Sequence, residues 1–197
     1  MKKILASAAL AIAVLWSMPS AAPGLTVQDK EYQATVTEGG KTLKLVGAGV
    51  RKKWGFKVYT MGAYSESGSC DAESIVGKDE AKYLRLVMLR NVSAEKMGNT
   101  ISESFKEHMP AGGSAELKQQ GETFKGYFKD ECSEGTVLEF TYVPGTGTTL
   151  KQNGKVLGPV LTGSAFHHVL WDIYFGKDTC CSGLKEGILE TCTAKGM

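Results

Sequence analysis

Arg51 is the residue in this chain best placed for ligand chemistry. It follows Gly47-Ala48-Gly49-Val50, a stretch that lets other backbone approach closely, and it opens a segment rich in aromatics, with Trp54, Phe56 and Tyr59. A guanidinium at the rim of an apolar sheet can hold a carboxylate or phenolate through two parallel hydrogen bonds. Tyr59 lies eight residues on, with the same parity along an extended chain. Its hydroxyl can therefore reach the same side of a sheet if no bulge intervenes. The plain competing reading is an arginine in a surface ion pair and a tyrosine in the core.

Other motifs dissolve on inspection. Gly47-Ala48-Gly49 begins like a dinucleotide fingerprint, but Lys52 stands where the third glycine belongs and a strand follows. Without a helix N-terminus no dipole receives a pyrophosphate. Gly145-Thr146-Gly147-Thr148 reads as turn chemistry, and no GxSxG elbow occurs. Adjacent His167 and His168 point about 100° apart on a helix, and no CxxC or HxxxH spacing offers a metal site. Asp172, four residues after His168, reads as its ion-pair partner on a helix surface. No cofactor is expected. The cysteines at 70, 132, 180, 181 and 192 number five, so at least one thiol is left over. A bridge from the Cys180/Cys181 pair to Cys192 is expected, with Cys70–Cys132 as a candidate second; sequence leaves the connectivity open.

The N-terminus explains why bridges are expected at all. Lys2 and Lys3 precede an uncharged run of thirteen residues, Ile4 to Trp16, and then small residues up to Ala22. That is the pattern of a secretory signal peptide over residues 1–22, too short to span a bilayer at ~20 residues. No membrane span remains after its removal, and the expected location is periplasmic or secreted. Residues 23–197 then form one domain, long enough to bury a core. Two of the 23 basic residues fall in the signal, which leaves 21 against 21 acidic ones. With no basic excess, nucleic acid is excluded as a partner.

The elements that must position Arg51 read as an α+β chain. Tyr32–Val36 and Thr42–Val46 flank Gly39-Gly40, a hairpin signal. Trp54–Ser65 alternates as a strand, and Tyr83–Leu89 is apolar on both parities apart from Arg85, as a central strand would be. Ser93 caps a helix whose stripe is Met97, Ile101, Phe105 and His108, and a weaker helical pattern uses Leu117, Phe124 and Phe128. Strands return at Thr136–Tyr142, then at Thr148–Gln152 and Lys155–Val160 around Asn153-Gly154. A last helix starts at Ser164 and stops before Gly176. Strands at both ends around a helical middle predict an antiparallel sheet with helices on one face.

The run from Gly47 through Tyr59, continued by Gly62-Ala63-Tyr64, resembles the signature of chalcone-isomerase-like proteins, above all their bacterial branch. Arg90–Lys96, Asn153-Gly154-Lys155 and Gly163–Phe166 leading to Tyr174-Phe175-Gly176 resemble it too, so the likeness covers roughly Gln28 to Leu189. The resemblance implies an open-faced sandwich enclosing an apolar cleft. It implies either enone isomerisation, as in the plant enzymes, or fatty-acid binding by an arginine and a tyrosine. Arg51 matches the arginine of both kinds, and would be the catalytic residue in an enzyme. Tyr59 matches the tyrosine of the binders, where the enzymes carry threonine. The enzymes also use a tyrosine near the first long helix, and Asn91–Ile101 contains none. The expectation is a non-catalytic binder of a fatty acid or similar small apolar acid. An isomerase (intramolecular lyase) acting on a chalcone or related enone is the alternative, and an envelope interaction protein with a vestigial cleft is the third.

Overall fold

The computed structural model describes residues 24–193, so the expected signal peptide lies outside the described residues. Two short strands, β1 (Leu25–Val27) and β2 (Lys30–Tyr32), pair with each other. The main sheet has seven strands in chain order: β3 (Thr35–Glu38), β4 (Lys41–Lys53), β5 (Phe56–Ser65), β6 (Lys82–Met88), β7 (Val137–Val143), β8 (Gly147–Gln152) and β9 (Lys155–Val156). Every pairing is antiparallel, a meander built largely from tight turns. Gly39-Gly40 and Asn153-Gly154 take the positive φ values that two-residue hairpin turns need. The helices are α1 (Ala72–Gly77), α2 (Ala94–His108), α3 (Ala115–Lys125), α4 (Ser164–Phe175) and α5 (Ser182–Thr193). They cover one face of the sheet, which is the expected α+β open-faced sandwich. No described helix is long and apolar enough to cross a membrane.

The main core fills the space between the inner face of the sheet and the helices. Leu84, Leu86 and Met88 of β6 meet Phe105 of α2, Phe124 of α3, and Phe166 and Leu170 of α4. The outer face carries a smaller core, in which Tyr32 packs with Leu43, Leu45, Tyr64 and Tyr83. Tyr32 lies flat over Gly62, where a β-carbon would strike its ring, and donates to Thr60 Oγ1 at 2.6 Å. Both parities of β6 are thus covered, as its sequence predicts. Ser93 caps α2 by accepting from the Lys96 amide.

Two departures from expectation bear on the site. Trp54 does not open a strand: with Gly55 it forms a turn at φ of 51° and 79°. Arg51 therefore lies near the end of β4 and Tyr59 near the start of β5, instead of both lying on one strand. The left-handed conformation is rare for tryptophan, so Trp-Gly carries a weaker turn signal than Asn-Gly. Among the described side chains of the last helix, α5, only Leu184, Ile188 and Cys192 are fully buried, too sparse a pattern to read. It docks because β4 offers it glycine. A β-carbon on Gly47 would run into the Ile188 carbonyl, and one on Gly49 would lie 3.0 Å from that of Leu184. Thr191 Oγ1 accepts from the Ala48 amide at 3.1 Å.

The path of α5 also decides the bridges. Cys192 at its end reaches Cys70, just before α1, and these two are bonded. Cys180 and Cys181 form a vicinal bridge, while Cys132 is free and buried, its thiol pushed up to about 11 by desolvation and by Glu131. The expected pairings of Cys180 or Cys181 with Cys192, and of Cys70 with Cys132, are not made. A helix of twelve residues holds its two ends roughly 18 Å apart, and Cys132 is engaged with Val92 across a β-bridge.

A polar cluster closes the end of the sheet away from the Trp54 turn. Buried Lys82 donates to the carbonyls of Ile75 and Lys78, both at 2.6 Å, and lies 3.2 Å from His167 Nε2. His167 stacks on Tyr142, whose hydroxyl donates to Asp79. His168 Nδ1 sits 3.1 Å from the Val76 carbonyl, so its partner is α1 and not Asp172. Burial, with Lys82 and His168 nearby, pushes His167 down to about 2, and desolvation brings Lys82 down to about 8.

Candidate functional site

At the other end of the same inner face the sheet and helices part to leave a cavity of about 210 Å³. Leu86 of β6, Leu138 and Phe140 of β7, and Leu170 and Ile173 of α4 make its apolar wall, and Met97 and Ile101 of α2 close it. These are the alternate positions of strands and the i, i+3, i+4 positions of helices, so the patterns that built the core also leave its gap apolar.

Arg51 and Tyr59 both line this cavity. They are directly opposed across the β4–β5 hairpin, so they share a face through cross-strand register, not through parity along one strand. The bulge falls immediately after Arg51 and leaves that pair intact. Arg51 Nη1 donates to the Lys52 carbonyl at 2.7 Å, and its charge lies close to the Tyr59 hydroxyl. The Tyr174 hydroxyl of α4 is the other polar neighbour of Tyr59.

Burial raises Tyr59, and the nearby Arg51 charge pulls it back only in part. Tyr174 stands well above the ordinary phenol value because it is buried beside Tyr59. Both stay protonated through the physiological range. Arg51 retains further donors of its five. The arrangement can hold one anionic head group by charge-assisted hydrogen bonds, with apolar wall beyond it for a chain or ring.

Tyr174 is the residue that sequence reading passed over. It appears there only within the Tyr174-Phe175-Gly176 stretch, with no role of its own, yet it lines the cavity beside Tyr59. Asn91 also lines the cavity, but its Oδ1 is taken by the Glu134 amide; Asn99 lies elsewhere. The vicinal pair Cys180 and Cys181 forms part of the wall, and Lys53, Arg90 and Lys96 stand at the rim. No group of three or more metal-binding side chains is gathered anywhere among the described residues.

Comparison with known proteins agrees with this architecture. A fatty-acid-binding protein of Arabidopsis thaliana superposes with a TM-score of 0.67 at 17% identity, covering 87% of this chain and 98% of that one. At such identity the likeness speaks for the fold. No curated protein matches in sequence. The chalcone isomerase-like family model matches residues 24–190, nearly the whole described chain, and this protein is therefore a member of the chalcone isomerase-like family.

Proposed function

We propose that this protein is an exported carrier that holds a fatty acid or similar small apolar acid without converting it. The observation that carries the reading is the chemistry of the cavity lining. Its charged side chains are Arg51, Lys53, Arg90 and Lys96, all cationic, and no carboxylate or imidazole lines it among the described residues. Tyr59 and Tyr174 are raised by burial, so neither takes up a proton near neutral pH as a general base must. A site that attracts anions, buries apolar surface and lacks a base is suited to holding. Arg51 and Tyr59 grip the carboxylate, and the tail lies among Leu86, Phe140 and Leu170. The volume falls below the ~300–1,000 Å³ usual for ligand sites, which favours short or medium chains over long ones.

Export to the periplasm or outside the cell is supported by the signal-like N-terminus and by two bridges, which persist in oxidising compartments. Within its family we place the chain in the bacterial branch, on the run from Gly47 to Tyr59. The deciding experiment is native mass spectrometry followed by organic extraction, with titration of saturated fatty acids of increasing length. A stoichiometric acid that is absent from Arg51→Ala supports the carrier. Equal affinity in wild type and Arg51→Ala rejects it, and flavanone formation from a chalcone faster than in buffer would reassign the protein as an isomerase.

A further inference from the structure

The β4–β5 hairpin tip projects the two most exposed large hydrophobic side chains described, Trp54 at 83% and Phe56 at 62% of full exposure. Around them the sequence Arg51-Lys52-Lys53-Trp54-Gly55-Phe56-Lys57 holds four basic residues and no acidic one. Lys53 lies over the Trp54 ring at 5.1 Å, and Arg90 over the Phe56 ring at 5.1 Å. Lys52 and Lys57 are directly opposed across the hairpin, a like-charge pairing that costs stability. Among the described residues neither these lysines, Arg90 nor Lys96 forms an ion pair; the three that exist lie elsewhere. The chain thus keeps an uncompensated cationic ring around two exposed aromatics, at the rim of its own cavity.

We propose that this tip docks the protein on an anionic lipid bilayer, with the cavity mouth turned to the headgroup layer. Tryptophan suits the membrane interface, where an amphipathic ring sits at headgroup depth, and flanking lysines gain from anionic headgroups. A protein partner fits less well, because lysine is depleted at protein–protein interfaces. Contact of this kind is peripheral and reversible: one turn enters the interface and nothing spans. The inference extends the carrier reading by naming the surface that ligand would leave or enter, yet vesicle binding and ligand binding are read separately.

The test is sedimentation of the mature chain, residues 23–197, with phosphatidylcholine vesicles, with and without phosphatidylglycerol, at low and high salt, while tryptophan emission is followed. Trp16 falls in the segment removed with the signal peptide and Trp171 is buried, so the difference between wild type and Trp54→Ser isolates the tip. Wild type is expected to sediment with anionic vesicles only, less so in high salt, with a blue shift that Trp54→Ser lacks. Lys52→Gln/Lys57→Gln should lower vesicle partitioning roughly thirtyfold, as expected for losing two lysines near such a surface. Failure to bind anionic vesicles, binding that the double variant leaves intact, or binding without a Trp54 shift would each overturn the proposal. So would a dimer that Trp54→Ser dissolves, which assigns the tip to a second copy. Fatty-acid affinity without vesicles, measured on the same samples, reports on the carrier alone.

Discussion

Two polar clusters sit at opposite ends of one sheet face, and they differ in what their donors meet. Around Lys82 the ammonium is consumed by two carbonyls at the end of α1 and by His167. Around Arg51 the Lys52 carbonyl takes one donor, and the guanidinium borders a cavity. Lys82 is fully buried and Arg51 half-buried. The two cations differ as well in the number of donors left without a protein acceptor.

The sharpest way to break this contrast is to remove each cation in turn. Lys82→Met leaves two carbonyls and an imidazole buried without a donor, and should cost about 3 kcal/mol or more of folding stability in denaturant titration. Ligand affinity in the protein that remains folded should be little changed. Arg51→Ala should reverse the pattern. Affinity for a fatty acid should fall by about 2 kcal/mol, roughly thirtyfold, while the denaturation midpoint barely moves. If Arg51→Ala destabilised as much as Lys82→Met, the two clusters would be of one kind.

Acid should distinguish them further. His167 in the folded protein is pushed far below the value of about 6.5 that it regains on unfolding. Between those values the unfolded chain binds the extra proton. Its contribution to stability is then complete above pH 6.5 and is lost as pH falls toward 2, by up to ~1.4 kcal/mol per pH unit. His167→Gln should flatten that slope in thermal melts from pH 7 to 4. Tyr59→Phe, the mildest change, removes one hydroxyl and should weaken ligand binding by about 1 kcal/mol with the fold untouched.

Much of this was legible in the sequence wherever one short segment decides the outcome. Asn153-Gly154 makes its turn, Ser93 caps α2, and Leu138, Phe140 and Tyr142 alternate as β7 requires. Arg51 and Tyr59 do face one cavity, not through even spacing along one strand but because a turn at Trp54-Gly55 sets them opposite each other. What stayed hidden depends on pairs distant in the chain. Tyr174 becomes a site residue only where α4 passes β5. Lys82 looks like any lysine at a strand end until α1 presents its carbonyls. The bridge between Cys70 and Cys192 spans 122 residues, with no local mark at either end.

The docking of α5 on Gly47 and Gly49 has a consequence in time. β3 pairs with β4 only as far as Lys44, so beyond it that flank of the strand awaits the final helix. The contact between Ala48 and Thr191 joins residues 143 apart, among the most remote in the chain. Contacts of such separation form late, after local hairpins have set. As the chain emerges and folds in order, that flank of the strand that carries Arg51 stays uncovered until its last helix arrives, and the cavity end is the last part of the molecule to mature.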